Sequence, residues 1–298
     1  MKNDPERSPE VGIAPPNFRL PPATRLGPVR FQISDLQRSV AFYRDLIGLQ
    51  ELERSIGGAV LGLRGEDRGL IELIEHAGAR PARPGRRLGI YHVAILLPDR
   101  SDLGRFVRHA TEAGIRLGMA DHLVSEAVYL SDVDGLGLEV YADRPRESWR
   151  QKGAEVRMAT DPLDVGSLVE AAGSEPWTGI PPGTTIGHVH LHVGRLDRAS
   201  SFYHDAMGFD KVAWSYPGAL FLSAGGYHHH LGTNEWAQGA SAAGEDDARL
   251  LEWSIVLPTR ADVEAARQSM GMAGYATTEH ADAWSAADPW GTVVRVRQ

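Results

Sequence analysis

The sequence contains no cysteine. That absence removes disulfides, thiolate metal sites and cysteine nucleophiles, and it leaves His, Asp, Glu and backbone oxygen to anchor any transition metal. Also missing is an apolar run of 18 residues, so no segment is expected to span a membrane. The N-terminus carries Pro5, Pro9, Pro15, Pro16, Pro21 and Pro22 among charged residues, with no apolar core of signal-peptide length. Positive charge is in deficit: the formal net charge is -8, which argues against nucleic acid or an anionic membrane as a partner. The expectation is a soluble cytoplasmic protein. Nothing in the sequence fixes its oligomeric state, and a homo-oligomer stays open.

What is present is a chain of 298 residues, 42% of them hydrophobic, enough for one large core or two of ordinary size. Residues 1–25 read as an N-terminal arm, disordered or loosely packed. Pro28 to Ser34 alternates like a strand. Ser34-Asp35-Leu36-Gln37 has the form of a capping box, and Leu36, Val40, Tyr43 and Ile47 follow at helical spacing. Gly48 ends that helix, and three short strands fit near 50–55, 58–64 and 68–75. The same strand–helix–three-strand unit returns 160 residues later. Gly27, Leu36, Arg38, Phe42, Tyr43, Asp45 and Gly48 fall on Gly187, Leu196, Arg198, Phe202, Tyr203, Asp205 and Gly208. Ile95, Leu97, Pro98, Arg100 and Asp102 fall on Ile255, Leu257, Pro258, Arg260 and Asp262. Residues 26–145 and 185–298 are therefore duplicates in an α+β chain of four βαβββ modules, at 26–80, 88–145, 185–236 and 249–298. Residues 146–184 form a linker with a short helix from Asp164 to Ala172, and 237–248 reads as flexible and exposed. The pairs Phe42-Tyr43 and Phe202-Tyr203 read as core anchors of their helices.

One stretch invites a chemical reading. Gly187 to Val193 places His188, His190 and His192 on alternate residues, so in a strand all three share a face. They could be metal ligands, or a polar face that happens to use histidine. The local pattern does not choose.

Four βαβββ modules with Phe-Tyr and a later Gly around the first helix resemble the vicinal oxygen chelate superfamily, which includes glyoxalase I, bleomycin-resistance proteins and type I extradiol dioxygenases. The resemblance covers nearly everything after residue 25. Within it, the chain is most similar to catechol 2,3-dioxygenases, on four stretches: Tyr91 to Pro98, Asp121 to Ala127, Tyr129 to Asp132 running on to Glu139–Pro145, and Gly225-Gly226-Tyr227-His228-His229-His230. The resemblance implies that modules pair into two cupped mixed sheets, with metal ligands from the first and last strands of the modules.

Those ligand positions carry Pro28, His92, His188 and Glu252 on first strands, and Glu139, the 228–230 histidines and Arg295 on later ones. Sequential pairing of modules puts Arg295 at a ligand position, where guanidinium has no lone pair to give. Pairing the second module with the third instead gathers His92, His188 and Glu139, a 2-His-1-carboxylate triad. Pro28 and Arg295 then fall in a cup without metal. The resemblance favours Fe(II), and the ligand set also allows Mn(II) or Zn(II).

Further roles follow from the same resemblance. Tyr129-x-x-Asp132-x-x-Gly135-x-x-x-Glu139 matches the extradiol signature, which assigns the tyrosine to substrate and the glutamate to metal. Asp132 and Gly135 read as a turn. His229-His230-Leu231-Gly232 fits the pattern around the acid–base histidine, so His229 takes that role. Strand alternation would put His228 and His230 on the opposite face, His230 being the alternative. His122 matches a further catalytic histidine, although it stands two residues closer to Tyr129 than is usual. His230 and His190 are candidate substrate contacts. The expected activity is extradiol cleavage of a small aromatic diol by O2. A glyoxalase-type isomerase or lyase, or a metal-free binding protein, are the alternatives.

Overall fold

Local chemistry sets the element boundaries. The computed structural model describes residues 11–83 and 85–298. β1 (Arg25–Ile33) buries Val29, Phe31 and Ile33 and leaves Pro28 and Arg30 partly exposed. Its helix begins one residue later than the capping box predicts. Asp35 is the N-cap and accepts from the Arg38 N–H, because Ser34 gives both its N–H and its hydroxyl to Asp134, each at 2.6 Å. α1 (Leu36–Phe42) widens into a π-helical turn, Tyr43–Ile47, and stops at Gly48, whose φ of 88° suits a residue without Cβ.

The unit is completed by β2 (Gln50–Ser55), β3 (Gly58–Gly62) and β4 (Gly69–Glu75). The second unit holds β5 (Gly89–Leu96), α2 (Arg100–Glu112), β6 (Gly118–Asp121), β7 (Ser125–Ser131) and β8 (Gly137–Asp143). A small hairpin, β9 (Gln151–Lys152) and β10 (Glu155–Val156), and α3 (Val165–Ala171) connect it to the third. That unit contains β11 (Thr185–His192), α4 (Leu196–Ala199) with a π-helical turn at Ser200–Ala206, β12 (Asp210–Ala213), β13 (Ala219–Ser223) and β14 (Leu231–Asn234). The last contains β15 (Arg249–Val256), α5 (Arg260–Met272), β16 (Thr278–Glu279), β17 (Ala283–Ala287) and β18 (Val293–Arg297). No helix among the described residues is long and apolar enough to cross a membrane.

The four units make two eight-stranded mixed sheets. One runs β12-β13-β14-β11-β5-β8-β7-β6, so the second unit pairs with the third through antiparallel β5 and β11. The other runs β16-β17-β18-β15-β1-β4-β3-β2 and joins the first unit to the last. The main core lies on the helix-facing sides of both sheets and includes Phe31, Tyr43, Phe106, Phe202, Tyr203 and Trp253. Two buried tyrosines tie one sheet to the other: Tyr43 Oη donates to Asp132 at 3.1 Å, and Tyr203 Oη donates to Asp288 at 3.0 Å.

Two stretches are better ordered than their composition predicts. Residues 11–24 of the expected loose arm are pinned to the third unit. Ile13 bridges to Lys211, Arg19 meets Asp210 at 2.8 Å, and Leu20 is buried. Residues 1–10 of that arm lie outside the described residues. The alanine- and glycine-rich 237–248 is likewise fixed. Arg80 N–H donates to the Asp246 carbonyl, and Asp247 receives Arg80 at 2.8 Å and Arg87 at 3.2 Å. Distant backbone and ion-pair partners, invisible in a local window, decide both cases.

Candidate metal centre

Three adjacent strands of the first sheet carry the site. Register places Glu139 of β8 beside Ala94 of β5, and Ala94 beside His188 of β11. Ala94 is buried, and its methyl leaves the space between the two ligand side chains free. His92 sits two residues along β5 on the same face. The register of β11 slips between Ile186 and His188, a bulge at Gly187 that re-aims the histidine. Glycine is required there: a Cβ would stand 1.9 Å from the Tyr141 hydroxyl oxygen.

The result is a buried cluster. Candidate ligand atoms of His92, Glu139 and His188 all lie within 4.8 Å of one another. Glu139 Oε2 is 2.9 Å from His92 Nε2 and 3.1 Å from His188 Nε2. His92 Nε2 and Glu139 Oε1 are both buried without a hydrogen-bond partner, which is costly unless something else satisfies them. Burial pushes His188 down to about 4, so its imidazole is neutral and keeps a lone pair. Two imidazoles, one carboxylate and two orphaned ligand atoms fit a divalent metal held facially. The other sheet lacks this set. Its equivalent positions are Pro28, Glu252 and Arg295, and Arg295 Nε donates to Glu252 at 2.7 Å.

The remaining expected residues fall into three groups. Tyr129 has its ring 5.5 Å from that of His92. Its hydroxyl meets His122 Nε2, and His122 Nδ1 bonds the Ala159 carbonyl at 2.6 Å. The short spacing is absorbed by a tight turn in which Leu123 takes a φ of 68°. Burial, reinforced by Glu139, holds the Tyr129 hydroxyl well above its ordinary pKa, so it remains a donor. His190 shares the face of His188, its ring 5.0 Å from that of His92, with its Nε2 accepting from Asn234 at 2.9 Å. A cavity of about 1000 Å³ opens onto His92 and is lined also by Tyr91, Tyr129 and His192.

The 228–230 run differs from its expected geometry. It precedes β14, which starts at Leu231, so strand alternation does not govern it. His228 and His229 both turn toward the site, with rings 6.2 Å and 4.1 Å from that of His188. His230 turns away. Its Nδ1 accepts from Ser223 at 3.0 Å, and its ring packs near Tyr227 and Phe209, the latter in the helix-side core. The geometry therefore does not bring His230 to the cluster as a substrate contact.

Sequence reasoning missed several neighbours. Asp143 shares the face of Glu139, four residues along β8, and alternation alone could have flagged it. The connecting segment supplies Val156 and Met158, which pack with Val124 and Phe221 in an apolar cluster. No motif marks them.

Residues 25–140 and 185–293 match the family model described as the Glyoxalase/Bleomycin resistance protein/Dioxygenase superfamily. The chain is 42% identical over 270 residues to a catechol-2,3-dioxygenase of Bacillus subtilis (strain 168), covering 89% of this chain and 94% of that protein. Among solved structures it is similar to a candidate dioxygenase from Bacillus subtilis, with a TM-score of 0.64 and 13% identity over 94% of this chain and 86% of that one. It is also similar to glyoxalase I from Zea mays, with a TM-score of 0.54 and 17% identity over 93% and 92%. At these identities the two structures share the fold.

Proposed function

The chain belongs to the glyoxalase/bleomycin resistance protein/dioxygenase superfamily, and from that premise we propose that it is an extradiol dioxygenase that opens a catechol-type ring with O2. The observation that carries the reading is the buried His92–Glu139–His188 cluster in a chain 42% identical to a catechol-2,3-dioxygenase. His92, His188 and Glu139 would hold Fe(II). That ion supplies a redox-capable Lewis acid with open positions for a diol and for O2.

The chain's own residues do the rest. Phe221, with its ring 4.9 Å from that of His229 and 5.6 Å from that of His190, gives the site an apolar wall that strengthens the charge interactions beside it. Tyr129, backed by His122, offers a hydroxyl next to His92 to orient the substrate. His229 takes the proton of a substrate hydroxyl and returns it later in the turnover, a task suited to imidazole. His190 stands beside His92 as a wall for the ring.

The test is anaerobic loading with Fe(II), then catechol, then air. We expect one equivalent of iron per chain, O2 uptake and a yellow ring-opened aldehyde. Stoichiometric iron without O2 uptake on any catechol would overturn the dioxygenase reading and point to an isomerase or lyase. Failure to bind metal would overturn the site itself.

A further inference from the structure

Two residues outside the expected set connect to His229 in a way that bears on its chemistry. His228 is fully buried, and both of its ring nitrogens are engaged. Its Nε2 lies 2.8 Å from Asp143 Oδ1. Its Nδ1 lies 2.8 Å from His229 Nδ1. The carboxylate is itself held in place, since Tyr227 Oη donates to Asp143 at 3.2 Å and shares a 2.8 Å hydrogen bond with Tyr141 Oη. Among the described residues, His229 Nε2 has no hydrogen-bond partner, and its ring packs 4.1 Å from that of His188.

With both rings in the neutral form, donor and acceptor rules place every proton in the chain. A carboxylate only accepts, so His228 must carry its proton on Nε2. A neutral imidazole has one donor and one acceptor, so His228 Nδ1 must accept. Its hydrogen-bond partner among the described residues is His229 Nδ1, which must therefore donate. His229 is left protonated at Nδ1 and bare at Nε2. Reversing the order would set two bare nitrogens against each other, or a bare nitrogen against a carboxylate, in a buried site where unsatisfied polar atoms are costly.

We propose that Asp143 and His228 are positioning residues that lock His229 in the Nε2-bare tautomer, the form able to accept a proton from substrate. The inference rests on the dioxygenase reading for what that proton is, and on hydrogen-bond geometry alone for the tautomer. A carboxylate that orients a general-base histidine through the far ring nitrogen is a familiar arrangement. Here a second histidine relays the instruction.

The experiment is ¹⁵N NMR of the full chain with labelled histidine, loaded with diamagnetic Zn(II). His229 is assigned by its loss in His229→Gln. We expect its Nδ1 to be protonated and its Nε2 bare. A proton on Nε2 overturns the proposal, whether or not the protein cleaves catechol. With Fe(II), His228→Ala is expected to lower kcat by about ten- to a hundredfold at nearly unchanged KM and iron content. His228→Gln, whose side-chain carbonyl can accept the same bond, should recover most of that loss. Equal loss in the two variants, or none in His228→Ala, also overturns it. A wild-type protein with the expected tautomer but no ring cleavage would sink the dioxygenase reading and leave the tautomer lock standing.

Discussion

At the scale of single residues, the ligand set makes the sharpest claims. Glu139→Ala or His188→Ala should lose bound metal, read as iron per chain after gel filtration, because two remaining ligands do not hold a facial site. His229→Ala should keep its metal and slow turnover by roughly two to four orders of magnitude. A full rate would move the acid–base role elsewhere. Asp132 makes a different claim. Burial raises its carboxyl to about 6 despite N–H donors from Asp134 and Leu136. A raised carboxyl binds its proton more tightly in the fold than in the unfolded chain, so its stabilisation is full below pH ~4 and lost as pH rises through about 6. The loss is on the order of 3 kcal/mol. Asp132→Asn should flatten that part of the stability profile in urea titrations between pH 4 and 7. Asp288, raised in the same direction by burial, would leave a smaller slope. The His92–Glu139–His188 cluster was legible in the sequence because the other modules carry Pro28 and Arg295 at equivalent positions, and neither can ligate. Alternation along β8 points to Asp143, but its bond to His228 was not legible, because it joins segments 85 residues apart.

At the scale of elements, small residues shape the site. Gly187 lets β11 pass over the Tyr141 hydroxyl. Gly187→Ala should force one of them aside, destabilise the fold by ~1–3 kcal/mol and weaken metal retention. Thermal unfolding with and without metal reads both effects, and an unchanged variant would mean that Tyr141 swings away freely. Ala94→Leu would place a branched side chain between Glu139 and His188 and should block metal binding while the fold survives. Circular dichroism and iron content together check this. Gly187 recurs as Gly27 in the repeat and Ala94 lies within the Tyr91–Pro98 stretch, but the role of neither was visible before the strands were paired. The 228–230 histidines failed for a related reason. These residues lie just before β14, outside strand periodicity, and the irregular backbone there turns two consecutive rings to one side.

At the scale of the whole molecule, the pairing of units was the most consequential inference and was legible from chemistry. Arg295 cannot coordinate a metal, and its exclusion selected the arrangement that the sheets adopt. In the second sheet, Arg295 and Glu252 satisfy each other with an ion pair where the first sheet gathers ligands. Packing of residues 11–24 and 237–248 was not legible, since composition speaks of flexibility and says nothing of distant partners. The same topology also orders assembly in time. The sheet with the His92–Glu139–His188 cluster is drawn from one continuous stretch, 89–234, whereas the other joins β1 and β4 to β15 and β18 from opposite ends of the chain. Closing a long loop carries a larger entropic penalty than closing a short one, and long-range strand pairing is slow. Pulse-labelled hydrogen exchange during refolding should therefore protect the β5–β11 amides before the β1–β15 amides. On a ribosome, the catalytic half of such a chain could take shape while its closing clasp is still being made.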